Sequence, residues 1–230
     1  MKPMTQNPHI HREFEEELGQ VRDNLLRMSG QVEQMIDHSL RAVLEGDVEL
    51  ARRTIEDDHK VNRLEVDTDD LCLLIVARRQ PVGSDLRFIT TATKMVTDLE
   101  RIGDLAVNIA ERAVAMAGAT PAVFGPMLTR MAELDQTQLR EATESFIARD
   151  ADRAQQVLDR DDAVDRTYVD VVRDVQRAIQ GDMSFLERGV HILAVAKFLE
   201  RIGDHATNLA ELVVFLVRAT DIRHLGKLQG

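Results

Sequence analysis

Leu99-Glu-Arg-Ile-Gly-Asp104 recurs letter for letter as Leu199-Glu-Arg-Ile-Gly-Asp204, and the match runs on through Ala106, Asn108, Ala110 and Glu111 against Ala206, Asn208, Ala210 and Glu211. A weaker echo joins Asp58-His-Lys-Val-Asn-Arg63 to Asp161-Asp-Ala-Val-Asp-Arg166, and Asp47 to Asp150. One supersecondary unit, used twice, gives such a pattern. Within the motif, Leu99, Ile102, Ala106 and Ile109 fall on one side of a helix turning ~100° per residue, and Glu100, Asp104, Asn108 and Glu111 on the other.

Working outward, apolar residues recur at three- and four-residue spacing almost throughout, and strand-type alternation is absent. Five breaks interrupt the pattern: Gly46-Asp47, Gln80-Pro-Val-Gly-Ser84, Gly118 to Pro126, Arg149-Asp150 and Gly181-Asp182. Each holds residues that stop a helix or start the next. They leave six predicted helices, at 10–45, 48–79, 84–116, 126–148, 151–180 and 184–218. Asp47, Ser84, Asp150 and Ser184 stand where N-caps belong, and Ser184 with Glu187 has the capping-box form. The longer helices are rods of about 45 to 50 Å. Antiparallel rods with short loops make an all-α protein of two tandem, pseudo-symmetric three-helix bundles, residues 1–120 and 121–230, with the longest loop, 117–126, as the seam.

Composition removes several function classes. A 230-residue chain with 44% hydrophobic and 30% charged residues can bury a sizeable core. A net charge of −11 disfavours nucleic acid, whose binding relies on Lys and Arg neutralising phosphates. The single cysteine, Cys72, lies in Leu71-Cys-Leu-Leu-Ile75 and reads as a buried inert thiol. No signal-peptide core precedes the helices, and the longest apolar run, near Leu212 to Val217, is far short of a spanning helix. The expected location is the cytoplasm, with membrane contact only through a partner.

The acidic stripes carry the chemistry. Asp58, Asn62, Glu65 and Asp69 line one side of the second helix, and Asp161 and Asp165 take the corresponding place in the second half. Carboxylates converging between neighbouring helices repel unless a cation sits between them, and hard cations with oxygen ligands meet that need. The competing reading is a solvated face, with Arg101 and Arg201 pairing locally. A solvated face needs charge but not identity, and two copies that keep Glu, Arg, Gly, Asp, Asn and Glu in register favour metal. Gly103 and Gly203 each cost about 1 kcal/mol inside a helix relative to Ala, which calls for a packing or access reason. His205 points about 100° away from Asp204 and has Leu105 as its counterpart, so packing is expected of it rather than ligation. His59, His191 and His224 have no matching partner one turn on, and no Glu-x-x-His pair of the di-iron kind occurs. The methionines read as core filler. No catalytic residue is assigned: phosphate loop, nucleophile elbow and zinc spacing are all missing.

The doubled Glu-Arg-Ile-Gly-Asp motif, Arg79-Gln-Pro-Val-Gly-Ser-Asp-Leu-Arg87 and the six-helix plan resemble the PhoU family of phosphate-transport regulators, from about Phe14 to Arg218. The resemblance implies two three-helix bundles, multinuclear iron or zinc clusters held by Glu/Asp-x-x-x-Asp motifs, and homodimers. Its ligand candidates are Glu100, Asp104, Glu200 and Asp204, supported by Asn108, Glu111, Asn208 and Glu211, with Asp58, Asn62, Asp161 and Asp165 on the facing helices. The function it implies is negative regulation of phosphate uptake and of the phosphate-starvation response. The protein would act as an adaptor between the phosphate ABC transporter, through its ATPase subunit, and a sensor histidine kinase. In the second half Tyr168 stands opposite Glu65 and Val172 opposite Asp69, so that site is expected to bind fewer or weaker ions. The Arg-Gln-Pro turn is not duplicated either. A metal-dependent phosphate-ester or polyphosphate hydrolase and a metal-free helical scaffold are the alternative readings.

Overall fold

The computed structural model describes residues 8–116, 120, 122–220 and 222; His224 and much of the expected seam lie outside these. Among the described residues seven α-helices follow one another: α1 (Pro8–Glu45), α2 (Val48–Arg79), α3 (Ser84–Ala115), α4 (Gly125–Ala148), α5 (Ala151–Leu158), α6 (Asp162–Gly181) and α7 (Leu186–Arg218). No strand occurs among the described residues. The helices trace six rods, because α5 and α6 share one.

Turn chemistry explains most of the ends. Gly46 takes the left-handed conformation at φ 70°, and Asp47 then caps α2 by accepting from the Leu50 N–H at 2.9 Å. Asp150 caps α5 through the N–H groups of Asp152 and Arg153, both at 3.0 Å. Gln80, also left-handed, closes α2 by donating its N–H to the Val76 carbonyl, and Pro81 prevents continuation. Two expected caps do not form. Ser84 is the first residue of α3 and makes no cap bond; Gly83, at φ 58°, precedes it. Ser184 lies inside a 3₁₀ turn, Met183–Phe185, capped instead by the carboxylate of Asp182, which accepts from the Ser184 N–H. The ionised acceptor displaces the hydroxyl, so α7 starts only at Leu186 and the expected capping box is absent.

The predicted continuous helix at 151–180 is broken at Asp159, Arg160 and Asp161. There the backbone tightens to three-residue hydrogen bonds, Arg160 N–H to Val157 and Asp161 N–H to Leu158. Asp is a poor interior helix residue, and the side chains hold the break: Arg160 donates to the Gln156 carbonyl and pairs with Glu141, while Thr207 donates to Asp161 at 2.8 Å.

Helices α1, α2 and α3 pack on one another, and α4, α5, α6 and α7 form the second group; α3 against α7 and α1 against α4 join the two. Leu99, Ile102, Ala106 and Ile109 are fully buried, as are Leu199, Ile202, Ala206 and Leu209. Across the junction Phe88 stacks on Phe146 with centroids 5.3 Å apart, and the Arg22 and Arg149 guanidiniums lie against the Phe88 ring. Ser29 and Thr143 share a buried hydrogen bond across the same junction. Arg79 of the Arg-Gln-Pro turn reaches back to Glu17 at 2.9 Å and Glu13 at 3.2 Å, clamping the end of α2 to the start of α1. Cys72 is buried, and desolvation, reinforced by Asp69, pushes its thiol up to about 12, which leaves it inert. No helix of the described residues is long and apolar enough to cross a membrane.

Candidate metal centres

The motif helices α3 and α7 turn their apolar side inward and lay Glu100, Asp104, Glu200 and Asp204 along the grooves toward α2 and α6. In the first half, Asp58, Glu65 and Asp69 come from α2, and all three are half-buried. Burial is the largest cause raising each of their carboxyls, aided by Asp104 at Asp58 and by Asp69 at Glu65. Glu100 is raised by burial and then by Asp104. Asn62, exposed, donates to Asp58 Oδ2 at 2.7 Å, while Asp58 Oδ1 and Asp69 Oδ1 are buried without a hydrogen-bond partner among the described residues. Arg101 spans Glu100 and Asp104 at 3.5 Å each, the local pairing that the solvated-face reading expects. Asn108 is half-buried one turn beyond Asp104, and Glu111 is exposed beside Arg112.

In the second half one oxygen from each of Asp165, Glu200 and Asp204 lies within 4.8 Å of the others, the single such triad among the described residues. Asp165 and Asp204 are exposed and Glu200 half-buried; partial desolvation in the groove raises the carboxyl of Asp165, followed by Asp161, and that of Asp204, followed by Glu200. Lys197, where the first half has Thr97, pairs with Glu200 at 2.6 Å and lies 5.4 Å from the centre of the Tyr168 ring. Asp161 is engaged by Thr207, and Asn208 turns to Asp98 at 3.4 Å instead of toward the triad. Glu211 is half-buried on α7, two turns beyond Asp204.

Three oxygens already this close, with their carboxyls raised, fit a hard cation that accepts several oxygen ligands. Orphaned Asp58 Oδ1 and Asp69 Oδ1 give the first half the same need, with its oxygens more widely spread. Tyr168 and Val172 leave the second half fewer carboxylates on the facing helix, and among the described residues the closest convergence of oxygens lies there.

Two residues escaped the sequence reading. Asp135 on α4 is fully buried, and neither carboxylate oxygen has a partner among the described residues. Its signal was available: it stands on the apolar stripe Leu128, Met131, Ala132, Leu139, Ala142, where a carboxylate breaks the period. Asp98 accepts from His205 Nδ1 at 2.8 Å, joining α3 to α7. The repeat shows this as an exchange, Asp98 and His205 for Phe198 and Leu105. His205 is thus a bridge between the halves and no part of the triad.

The family description "PhoU domain" matches this chain at residues 25–113 and again at 128–213. The phosphate-specific transport system accessory protein PhoU homolog of Pseudomonas aeruginosa is 40% identical over 95% of this chain and 90% of its own length. The accessory protein PhoU of Escherichia coli is 33% identical over 98% and 94%. A crystal structure of PhoU from Pseudomonas aeruginosa superposes with a TM-score of 0.84 at 39% identity, covering 90% of this chain and 100% of that one. A PhoU regulatory protein from Streptococcus pneumoniae shares the fold at a TM-score of 0.82. With the domain matched twice, in step with the doubled motif, and relatives aligned over nearly the full length, the chain belongs to the PhoU family.

Proposed function

We propose that this protein is a non-enzymatic accessory of phosphate transport, which restrains phosphate uptake and represses the phosphate-starvation response when phosphate is plentiful. The observation that carries the reading is the near-full-length relationship to proteins named as accessory to the phosphate-specific transport system. In this reading it works in the cytoplasm as a homodimer, an adaptor between the ATPase subunit of the phosphate ABC transporter and a sensor histidine kinase. The long helical faces, 32 residues in α2 and 33 in α7, supply docking surface for such partners. The two repeats, 1–120 and 121–230, are its functional halves.

Iron or zinc, in multinuclear form, is the proposed cofactor. Glu100, Asp104, Asp58 and Asn62 would hold it in the first half, with Glu65 and Asp69 near; Glu200, Asp204, Asp161 and Asp165 would hold it in the second. The bound cation neutralises carboxylates that otherwise repel, locking α3 to α2 and α7 to α6. The raised carboxyls and orphaned oxygens support this reading.

A phosphate-starvation reporter tests the regulatory reading, in phosphate-rich medium and in a deletion strain. Deletion is expected to switch the reporter on and the wild-type gene to restore repression. A variant with Glu100, Asp104, Glu200 and Asp204 all changed to Ala is expected to fold and to leave the reporter on. A silent reporter in the deletion strain removes the regulatory reading; repression restored by the variant removes the metals from this role.

A further inference from the structure

Position 32 in α1 and position 135 in α4 are equivalent in the repeat, each packed against the glycine of its motif. Val32 Cγ2 lies 3.9 Å from where a Cβ on Gly103 would stand, and Asp135 Oδ1 lies 3.1 Å from the same point on Gly203. A valine fills the place in the first half, fully buried, so packing alone does not call for a carboxylate. Asp135 is nevertheless 0% exposed, with both oxygens unpartnered among the described residues. One turn along, Gln138 is 4% exposed and both its amide atoms are likewise unpartnered. A fully buried carboxylate with neither oxygen satisfied calls for a positively charged ligand, while the Gln138 amide beside it leaves room for polar company such as a ligand's water. Asp135 packs against Gly203, which stands next to Asp204 and three residues from Glu200 on α7, so its carboxylate lies behind the triad without being one of the three close oxygens.

We propose that Asp135 is an inner carboxylate ligand to a divalent or trivalent cation held on Glu200 and Asp204, so that the second half carries the more retentive site. The first half, with Val32 in that position, lacks this ligand. The inference rests on reading the carboxylate clusters as metal sites.

The test uses the full chain, stripped with a chelator and titrated with zinc(II), followed by calorimetry and by metal content after gel filtration. Asp135→Val copies the first half, and Asp135→Asn keeps the shape without the charge. Both are expected to lose one bound ion per chain or to weaken the tightest site by about tenfold or more, as loss of a charged ligand does. Without metal, Asp135→Val is expected to melt higher than wild type, because an uncompensated buried carboxyl is gone; this also shows that it folds. Glu100→Ala/Asp104→Ala is expected to leave the tightest site intact. If both Asp135 variants bind zinc as wild type does while Glu200→Ala/Asp204→Ala does not, the inference fails and the metal reading stands. If stripped wild-type protein takes up no zinc, both fall.

Discussion

Gly103 and Gly203 are the same letter of the repeat, yet a methyl group meets different neighbours at the two. At Gly103 it meets Val61 at 3.4 Å, Asp58 Oδ1 at 3.7 Å and Val32 at 3.9 Å, all ordinary contacts. At Gly203 it meets Asp135 Oδ1 at 3.1 Å, inside normal packing distance and against a fully buried acid. Gly103→Ala is therefore expected to stabilise the metal-free protein by up to about 1 kcal/mol through helix propensity. Gly203→Ala is expected to gain less or to lose stability. Thermal melts of the two variants decide it, and equal shifts would mean that Asp135 swings clear at no cost. The glycines were conspicuous in the sequence, and so were the carboxylates of the motif, because both repeat. Asp135 was not, because it has no copy: a position that is acidic in one half and valine in the other leaves no mark in a search for what the halves share.

At the scale of elements, apolar period and turn residues located every rod, since burial enforces the period and Gly, Pro and Asp enforce the stops. The interruption of the fifth rod was hidden. It contains neither Gly nor Pro, and it depends on Thr207 and Glu141, which only the folded chain brings to Asp161 and Arg160. The Ser84 and Ser184 caps failed for a local reason, competition from Gly83 and Asp182 at the same turns. The interruption leaves α5 only eight residues long, well below the length at which a helix sustains itself. Its counterpart at the start of α2 belongs to an unbroken helix of 32 residues. Amides of Ala151–Leu158 are accordingly expected to exchange hydrogen faster than those of residues 48–55. Mass-spectrometric exchange resolves the two peptides, and equal protection would mean that packing on α7 fully replaces the missing continuity.

Over the whole molecule, the carboxyls of Asp58, Glu65, Asp69, Glu100, Asp135, Asp165 and Asp204 are all raised, with burial the first cause at each. A carboxyl raised in the fold takes up its proton at a higher pH than in the unfolded chain. The folded state therefore gains stability as pH falls through the raised values, and the gain is complete below the ordinary carboxylate range. Chelated protein is thus expected to melt higher at about pH 5.5 than at about pH 7.5, the latter above the ordinary carboxylate range. A melting point that drops as pH is lowered from about 7.5 to about 5.5 would show that Arg101 and Lys197 already neutralise the clusters. In the opposite sense, Glu17, lowered by its bond to Arg79, loses its contribution only as pH drops further. The interruption at Asp159 to Asp161 also makes the two halves electrically unlike. It turns what is mid-helix in α2 into the opening turn of α6, with Asp162 and Asp165 at that end. There the aligned peptide dipoles present about half a positive charge, which works against the carboxylates that raise Asp165, whereas Asn62, its partner in the repeat, is uncharged and sits in mid-helix far from any such end.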